Sequence, residues 1–201
     1  MTPIKDTTMQ ELIARYPVIL FDSFGVLASS NAVLPGAVEL IANLNAIAKT
    51  YFVLTNDASA LPESRSENYA KLALNIKPEQ IITSGGLLSR YFADEHLQGL
   101  RCVILGPEDS VRYVQIAGGE FVPIGADFDA VVIGDQSGFP FLETMDQVMT
   151  DLFRKTDKGE NVRLILPNPD RIYPDGDGFG FASASIAMLL ESALKLRYPE
   201  R

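Results

Sequence analysis

Apolar positions along the chain fall into short blocks with two different periods. Thr8, with Glu11 three residues on, forms a capping box that opens a short helix to about Tyr16, and Pro17 closes it. Val18-Ile19-Leu20-Phe21 is a continuous apolar run stopped by Asp22. Such a run predicts a strand buried on both faces, as parallel sheets require. After Leu34-Pro35-Gly36, the residues Val38, Ile41, Leu44 and Ile47 recur at helical spacing, and Tyr51 to Leu54 forms a second buried run ending at Thr55-Asn56. Strand, helix and strand in this order make a βαβ unit, so the two strands are expected to be parallel.

The alternation continues. Helices are predicted over Pro62 to Leu74, Leu87 to Leu97, 108–117, 141–155 and 183–196. Strands are predicted at Ile81-Ile82, Cys102 to Leu105, Ala130 to Ile133 and Leu164 to Leu166. This is an α/β chain throughout. Its 201 residues fit one domain, or one domain carrying a modest second one. No repeat or low-complexity segment marks a boundary.

Charge and composition exclude several classes. Seventeen Lys+Arg against 26 Asp+Glu give a net charge of −9, which repels nucleic acid and anionic membranes as main partners. A single cysteine, Cys102, allows no intramolecular disulfide and no cysteine-built metal site, and the single His96 allows no two-histidine zinc site. The stretch MTPIKDTTMQ lacks the apolar run of a signal peptide, and no segment approaches the ~20 apolar residues of a membrane helix. The expectation is a cytoplasmic protein.

Candidate chemistry gathers at strand ends. In open α/β sheets, ligands bind outside the carboxyl ends of the strands, where Asp22 and Thr55 both lie. Asp22 offers a hard oxygen for Mg²⁺ and can also act as a nucleophile toward phosphorus. Gly25 permits a tight turn beside it, and Thr55 with Asn56 offers donors for phosphoryl oxygens. On spacing alone, Asp22 equally suits a cap on the following loop.

The wording VILFDSFGVL followed by FVLTND resembles the first two motifs of the haloacid-dehalogenase-like superfamily, in particular its class IIA branch of sugar-phosphate and nucleotide phosphatases. Leu34-Pro35-Gly36, the TSGG of Thr83 to Gly86, and LPNPDRIYP from Leu166 to Pro174 extend the likeness over essentially the whole chain. The resemblance implies a Rossmann-like parallel-sheet core over residues 1–76, an inserted α/β cap over 77–180, and a helix at 181–201 returning to a core whose remainder is absent. It implies Mg²⁺ held by Asp22 and the Phe24 backbone carbonyl, an aspartyl-phosphate on Asp22, and phosphate bound by Thr55 and Asn56. The cap would select a small phosphorylated metabolite, sugar-phosphate-like, and exclude water.

Three departures qualify that expectation. Position 24, where the family places an acid/base Asp, is Phe, which cannot move a proton; such a group contributes ~10²–10⁴ in rate. The third-motif Lys and the closing acidic motif would be expected beyond Arg201. Weak or no turnover is therefore expected, and a core short of strands is expected to self-associate through an exposed edge. Asp57 is a candidate substitute acid/base, or else a solvated loop aspartate. Asn168 and Asp170 are candidates for substrate contact, or else members of a Pro-flanked turn. Gly134-Asp135 and Asp175-Gly-Asp177-Gly superficially resemble metal motifs but read better as turns, and His96 with Cys102 reads better as a helix end and a buried thiol than as a dyad. The alternative to an enzyme is a non-catalytic module that retains the phosphate pocket for binding or interaction.

Overall fold

A computed structural model describes residues 6–29 and 32–200, so residues 1–5 of the amino-terminal stretch lie outside the described part. The chain divides into two compact units, one of Met1–Thr55 with Pro62–Ile82, the other of Asn56–Leu61 with Thr83–Arg201.

The first unit begins with α1 (Met9–Arg15), where the Thr8 side chain accepts from the Glu11 amide and Glu11 answers to the Thr8 amide, the capping box expected. Then come β1 (Val18–Asp22), α2 (Ala37–Ala46), β2 (Thr50–Thr55), α3 (Pro62–Lys71) and β3 (Ile81–Thr83). The sheet order is β1-β2-β3, and β1 runs parallel to β2 as the crossover demands. Lys49 ties the end of α1 to the start of β2 by donating to the Ile13 and Tyr16 carbonyls. Phe21, Tyr51 and Val53 point to one side of the sheet and meet Ile41, Leu44, Tyr69 and Leu74 there.

The expectation that β1 is buried on both faces is corrected. Leu20 is 60% exposed, and Val18, Leu54 and Ile82 are also exposed. Successive strand side chains point to opposite faces, and Ile13, Ile41 and Tyr69, from the three helices, all join the cluster around Phe21. Among the described residues, no α-helix of this unit is left for the opposite face.

The second unit contains α4 (Leu88–Asp94), β4 (Arg101–Leu105), α5 (Glu108–Ile116), β5 (Glu120–Phe121), β6 (Ala130–Ile133), α6 (Phe141–Asp157), β7 (Arg163–Ile165), β8 (Ile172–Asp175), β9 (Gly178–Phe181) and α7 (Ser183–Arg197). The strands β5-β4-β6-β7 form a parallel sheet. Here continuous apolar runs do mean burial on both faces. Cys102, Ile104, Ala130 and Val132 pack with Leu88, Phe92, Tyr113 and Val114 on one side. Val103, Leu105, Val131 and Ile133 pack with Met145, Val148, Leu152, Ile186 and Leu190 on the other. Two elements were absent from the sequence expectation: the two-residue β5 and the antiparallel hairpin β8–β9. Helix α7, expected to return to the core, instead buries Ile186, Ala187 and Leu190 in the second unit, because its apolar inner side completes the layer begun by α6.

Candidate active site

In the first unit, register decides what stands at the sheet's carboxyl end. Asp22 lies opposite Leu54, so Thr55 extends one residue beyond it on the adjacent strand, and neighbouring strands run ~4.8 Å apart. Phe21 faces the core, so the period of two turns Asp22 to the other side, where it is exposed. The Asp22 carboxylate takes one hydrogen bond through Oδ1, from the Ser23 amide at 2.8 Å.

The chain then makes a tight turn in which the Ser23 carbonyl accepts from the Leu27 and Ala28 amides, and Gly25 donates to Ala28 at 2.8 Å. Gly25 has φ +80°, a left-handed conformation that a side chain would strain. Leu27, 1% exposed, anchors the turn in the core, while Phe24 is left exposed at its tip. Among the described residues, the turn's backbone hydrogen bonds fall on the Ser23 and Ala28 carbonyls and not on that of Phe24. Ser23 and Tyr69 share a 2.5 Å hydrogen bond between their hydroxyls, which fixes the turn's first residue to α3. Tyr69 and Ser23 escaped the sequence reading. The available signal was a buried aromatic, alone in the otherwise polar PESRSENYAK helix.

In the second unit, Asn56, Asn168 and Asp170 come together. Asn56 Nδ2 donates to both carboxylate oxygens of Asp170, at 3.1 and 3.3 Å, and Asn168 Oδ1 accepts from the Asp170 amide at 2.9 Å. Asn168 therefore builds a local Asx turn that holds Asp170 in place. Asp57 Oδ1 accepts from the Ser59 amide and hydroxyl at 2.8 and 2.7 Å, a second Asx turn. The segment 56–61 is clamped by its own unit: Ser110 donates to the Ala58 carbonyl, Gly85 to that of Asp57, and the Leu61 amide donates to Asp109.

The TSGG signature has a packing explanation. Tyr113 donates to the Ala60 carbonyl at 2.7 Å, so the Thr83 hydroxyl must be the donor in its 2.7 Å bond to the Tyr113 oxygen. Gly85 lies flat under that ring; a Cβ there would come within 2.5 Å of it. The remaining motifs resolve as turns. Asp135 caps Ser137, and Gly134 is small because Ser110 crowds it. Asp175 pairs with Gly178 across the tip of the β8–β9 hairpin. His96 is exposed, whereas Cys102 is buried inside the sheet, its thiol pushed up to about 12 by burial and then by the charge of Asp129.

A carboxylate and a hydroxyl-bearing residue thus end adjacent parallel strands of an α/β unit, and a glycine-hinged turn follows the carboxylate. Residues 19–120 match the family model of haloacid dehalogenase-like hydrolases, and the chain belongs to that family. It is 25% identical over 165 residues to the acid sugar phosphatase of Staphylococcus haemolyticus (strain JCSC1435), covering 82% of this chain and 59% of that protein. It is 31% identical over 119 residues to chronophin of Bos taurus, covering 58% of this chain and 37% of that protein. The chain thus spans between about a third and three fifths of these relatives' lengths. Among solved structures, a possible sugar phosphatase of the family from Cytophaga hutchinsonii superposes with a TM-score of 0.80 at 29% identity, covering 96% of this chain and 69% of that one. A glycerol phosphate phosphatase from Mycobacterium tuberculosis in complex with magnesium shares the fold, with a TM-score of 0.72 at 20% identity over 88% of this chain and 51% of that one.

Proposed function

We propose that this chain carries the nucleophile of a sugar-phosphatase-like hydrolase, with Asp22 as the residue that takes the phosphoryl group. The observation that carries the reading is the β1–β2 register, which sets Thr55 one residue past the partner of Asp22. An oxygen of the Asp22 carboxylate attacks phosphorus, and the bond from phosphorus to the ester oxygen breaks. The departing alkoxide takes up a proton, for which Asp57 stands in, since Phe24 has none to give. Water then attacks the aspartyl-phosphate, its phosphorus–Asp22 bond breaks, and inorganic phosphate and the free carboxylate are regenerated. Thr55 and the Asn56 amide are proposed to hold the phosphoryl oxygens.

The residues fit a hard divalent cation in part. Asp22 keeps its Oδ2 out of the Ser23 bond, and the Phe24 carbonyl is spared by the turn, which makes two oxygen donors. No group of three His, Cys, Asp or Glu gathers among the described residues, so the Asp22 carboxylate and the Phe24 carbonyl are the protein oxygens that would hold the cation. Mg²⁺, where bound, supplies charge neutralisation of the phosphoryl oxygens. The second unit is proposed as the cap, with Asn168 and Asp170 as its residues for substrate contact; within that unit the Asn56 side chain orients Asp170. Asp57, tied to Ser59, is proposed as the substitute proton carrier. A small phosphorylated metabolite of the sugar-phosphate type, cytoplasmic location and slow turnover complete the reading.

The test uses beryllofluoride with Mg²⁺. Capture on Asp22 raises the melting temperature of the wild type and not of Asp22→Asn. The alternative, a binding or interaction module without the chemistry, predicts no stabilisation of either, and that outcome would remove the enzymatic reading.

A further inference from the structure

The Asp22 carboxylate is exposed, and an exposed aspartate turns between staggered rotamers unless something selects one. Its bond from the Ser23 amide, 2.8 Å from Oδ1, selects one only while Ser23 itself is held. Three groups of Ser23 are engaged: the amide donates to Asp22, the carbonyl accepts from Leu27 and Ala28, and the hydroxyl meets the Tyr69 hydroxyl at 2.5 Å. Ser23 is the joint between the carboxylate, the turn and α3.

Tyr69 is a firm anchor for that joint. It is 3% exposed and lies in the cluster that holds Phe21 and Leu27, the buried residues on either side of Asp22 and Ser23. Its carbonyl accepts from the Leu72 and Leu74 amides at 2.9 Å, which closes the end of α3. Ser66, one turn earlier, donates to the Ile76 carbonyl and ties the helix to the chain that follows it. Phenylalanine would fill the same space without the cost of burying a hydroxyl, so packing alone does not account for a tyrosine.

We infer that Tyr69 is a positioning residue for the nucleophile: through the Ser23 hydroxyl it holds the Ser23 amide, and through that amide the Asp22 carboxylate. The role rests on the part proposed above for Asp22 in phosphoryl transfer. Its effect is preorganisation, since a carboxylate already oriented loses no rotamer freedom on the way to reaction. The pairing of β1 with β2 brings Asp22 to the end of the sheet, and Tyr69 then fixes how the carboxylate is turned there, with Oδ1 toward the Ser23 amide.

Tyr69→Phe keeps the ring and removes the hydroxyl, whereas Ser23→Ala removes its partner and keeps the amide. Each is expected to lower the protection of the residue-23 amide against hydrogen exchange in the free protein by roughly two- to tenfold, as the loss of one hydrogen bond allows. Each also weakens capture of beryllofluoride with Mg²⁺ by a similar factor. The double variant is no worse than the weaker single one, because both substitutions remove the same bond. Ile41→Val, in the same cluster, loses comparable stability but leaves both readouts as in the wild type. Unchanged protection in Tyr69→Phe, additive losses in the double variant, or an equal effect of Ile41→Val overturns the role. A wild type that captures no beryllofluoride removes the phosphatase reading instead, and exchange in the free protein still decides whether Tyr69 holds the bond between Ser23 and Asp22.

Discussion

Single residues here are governed by what their neighbours leave free. Phe24 sits exposed at the tip of the turn after β1, and its backbone, not its ring, suits the proposed cation site. The ring can neither supply a proton to a leaving alkoxide nor take one from water. Phe24→Asp adds a carboxyl at that tip, and phosphate release from a small phosphate ester is expected to rise by about 10²-fold, the lower end of what a positioned acid/base contributes. Steady-state phosphate release with Mg²⁺ measures it; an unchanged rate would locate the deficit elsewhere. Asp127 shows the opposite situation, a carboxylate defined by its partners. Hydrogen bonds from Lys155, then Arg101, hold it down to about 2. Because the folded-state value lies below the ordinary one of 3.8, the stability it contributes is complete above that pH and is lost as pH falls toward about 2. Asp127→Asn is therefore expected to show a shallower acid dependence across this window in thermal melts, with the Lys155–Glu160 pair left in place.

At the scale of elements, the same sequence signature gave two outcomes. Val18–Phe21 and Cys102–Leu105 are both unbroken apolar runs. Only the second is covered on both faces, because α4 and α5 lie on one side of its sheet and α6 and α7 on the other. A run of apolar residues announces a strand; how many layers cover it depends on helices elsewhere in the chain, which periodicity does not assign to a face. The carboxyl-end position of Asp22 and the parallel pairing with β2 were legible, since both follow from a run that stops at a polar residue and from right-handed crossovers. The β8–β9 hairpin was not, although its two-residue Gly176-Asp177 tip is a hairpin signal. Pro174 on one side and Gly178 and Gly180 on the other dilute the strand character. The partners of the TSGG residues were equally invisible, because Ala60 and Tyr113 are distant in sequence. Gly85→Ala tests that packing: a methyl group within 2.5 Å of the Tyr113 ring must displace it, at a cost of about 1–3 kcal/mol, and with it the bonds to Thr83 and Ala60. Urea titration should show the midpoint falling at unchanged slope.

At the scale of the molecule, each unit presents an uncovered apolar surface, and the two are different in kind. On α7, Met188 and Leu189 are exposed along one side of a single helix, a narrow surface. The face of β1-β2-β3 bearing Val18, Leu20, Leu54 and Ile82 is broad and pleated, and β1 is an edge strand with open backbone groups. Such a surface accepts any extended chain and leads to open-ended pairing. Leu20 is its most exposed large side chain of these four, and a lysine there keeps the strand while placing a charge in the middle of the face. Leu20→Lys is expected to lower light scattering on concentration and heating, with circular dichroism unchanged. Unchanged scattering in Leu20→Lys would show that association runs through some surface other than this sheet face.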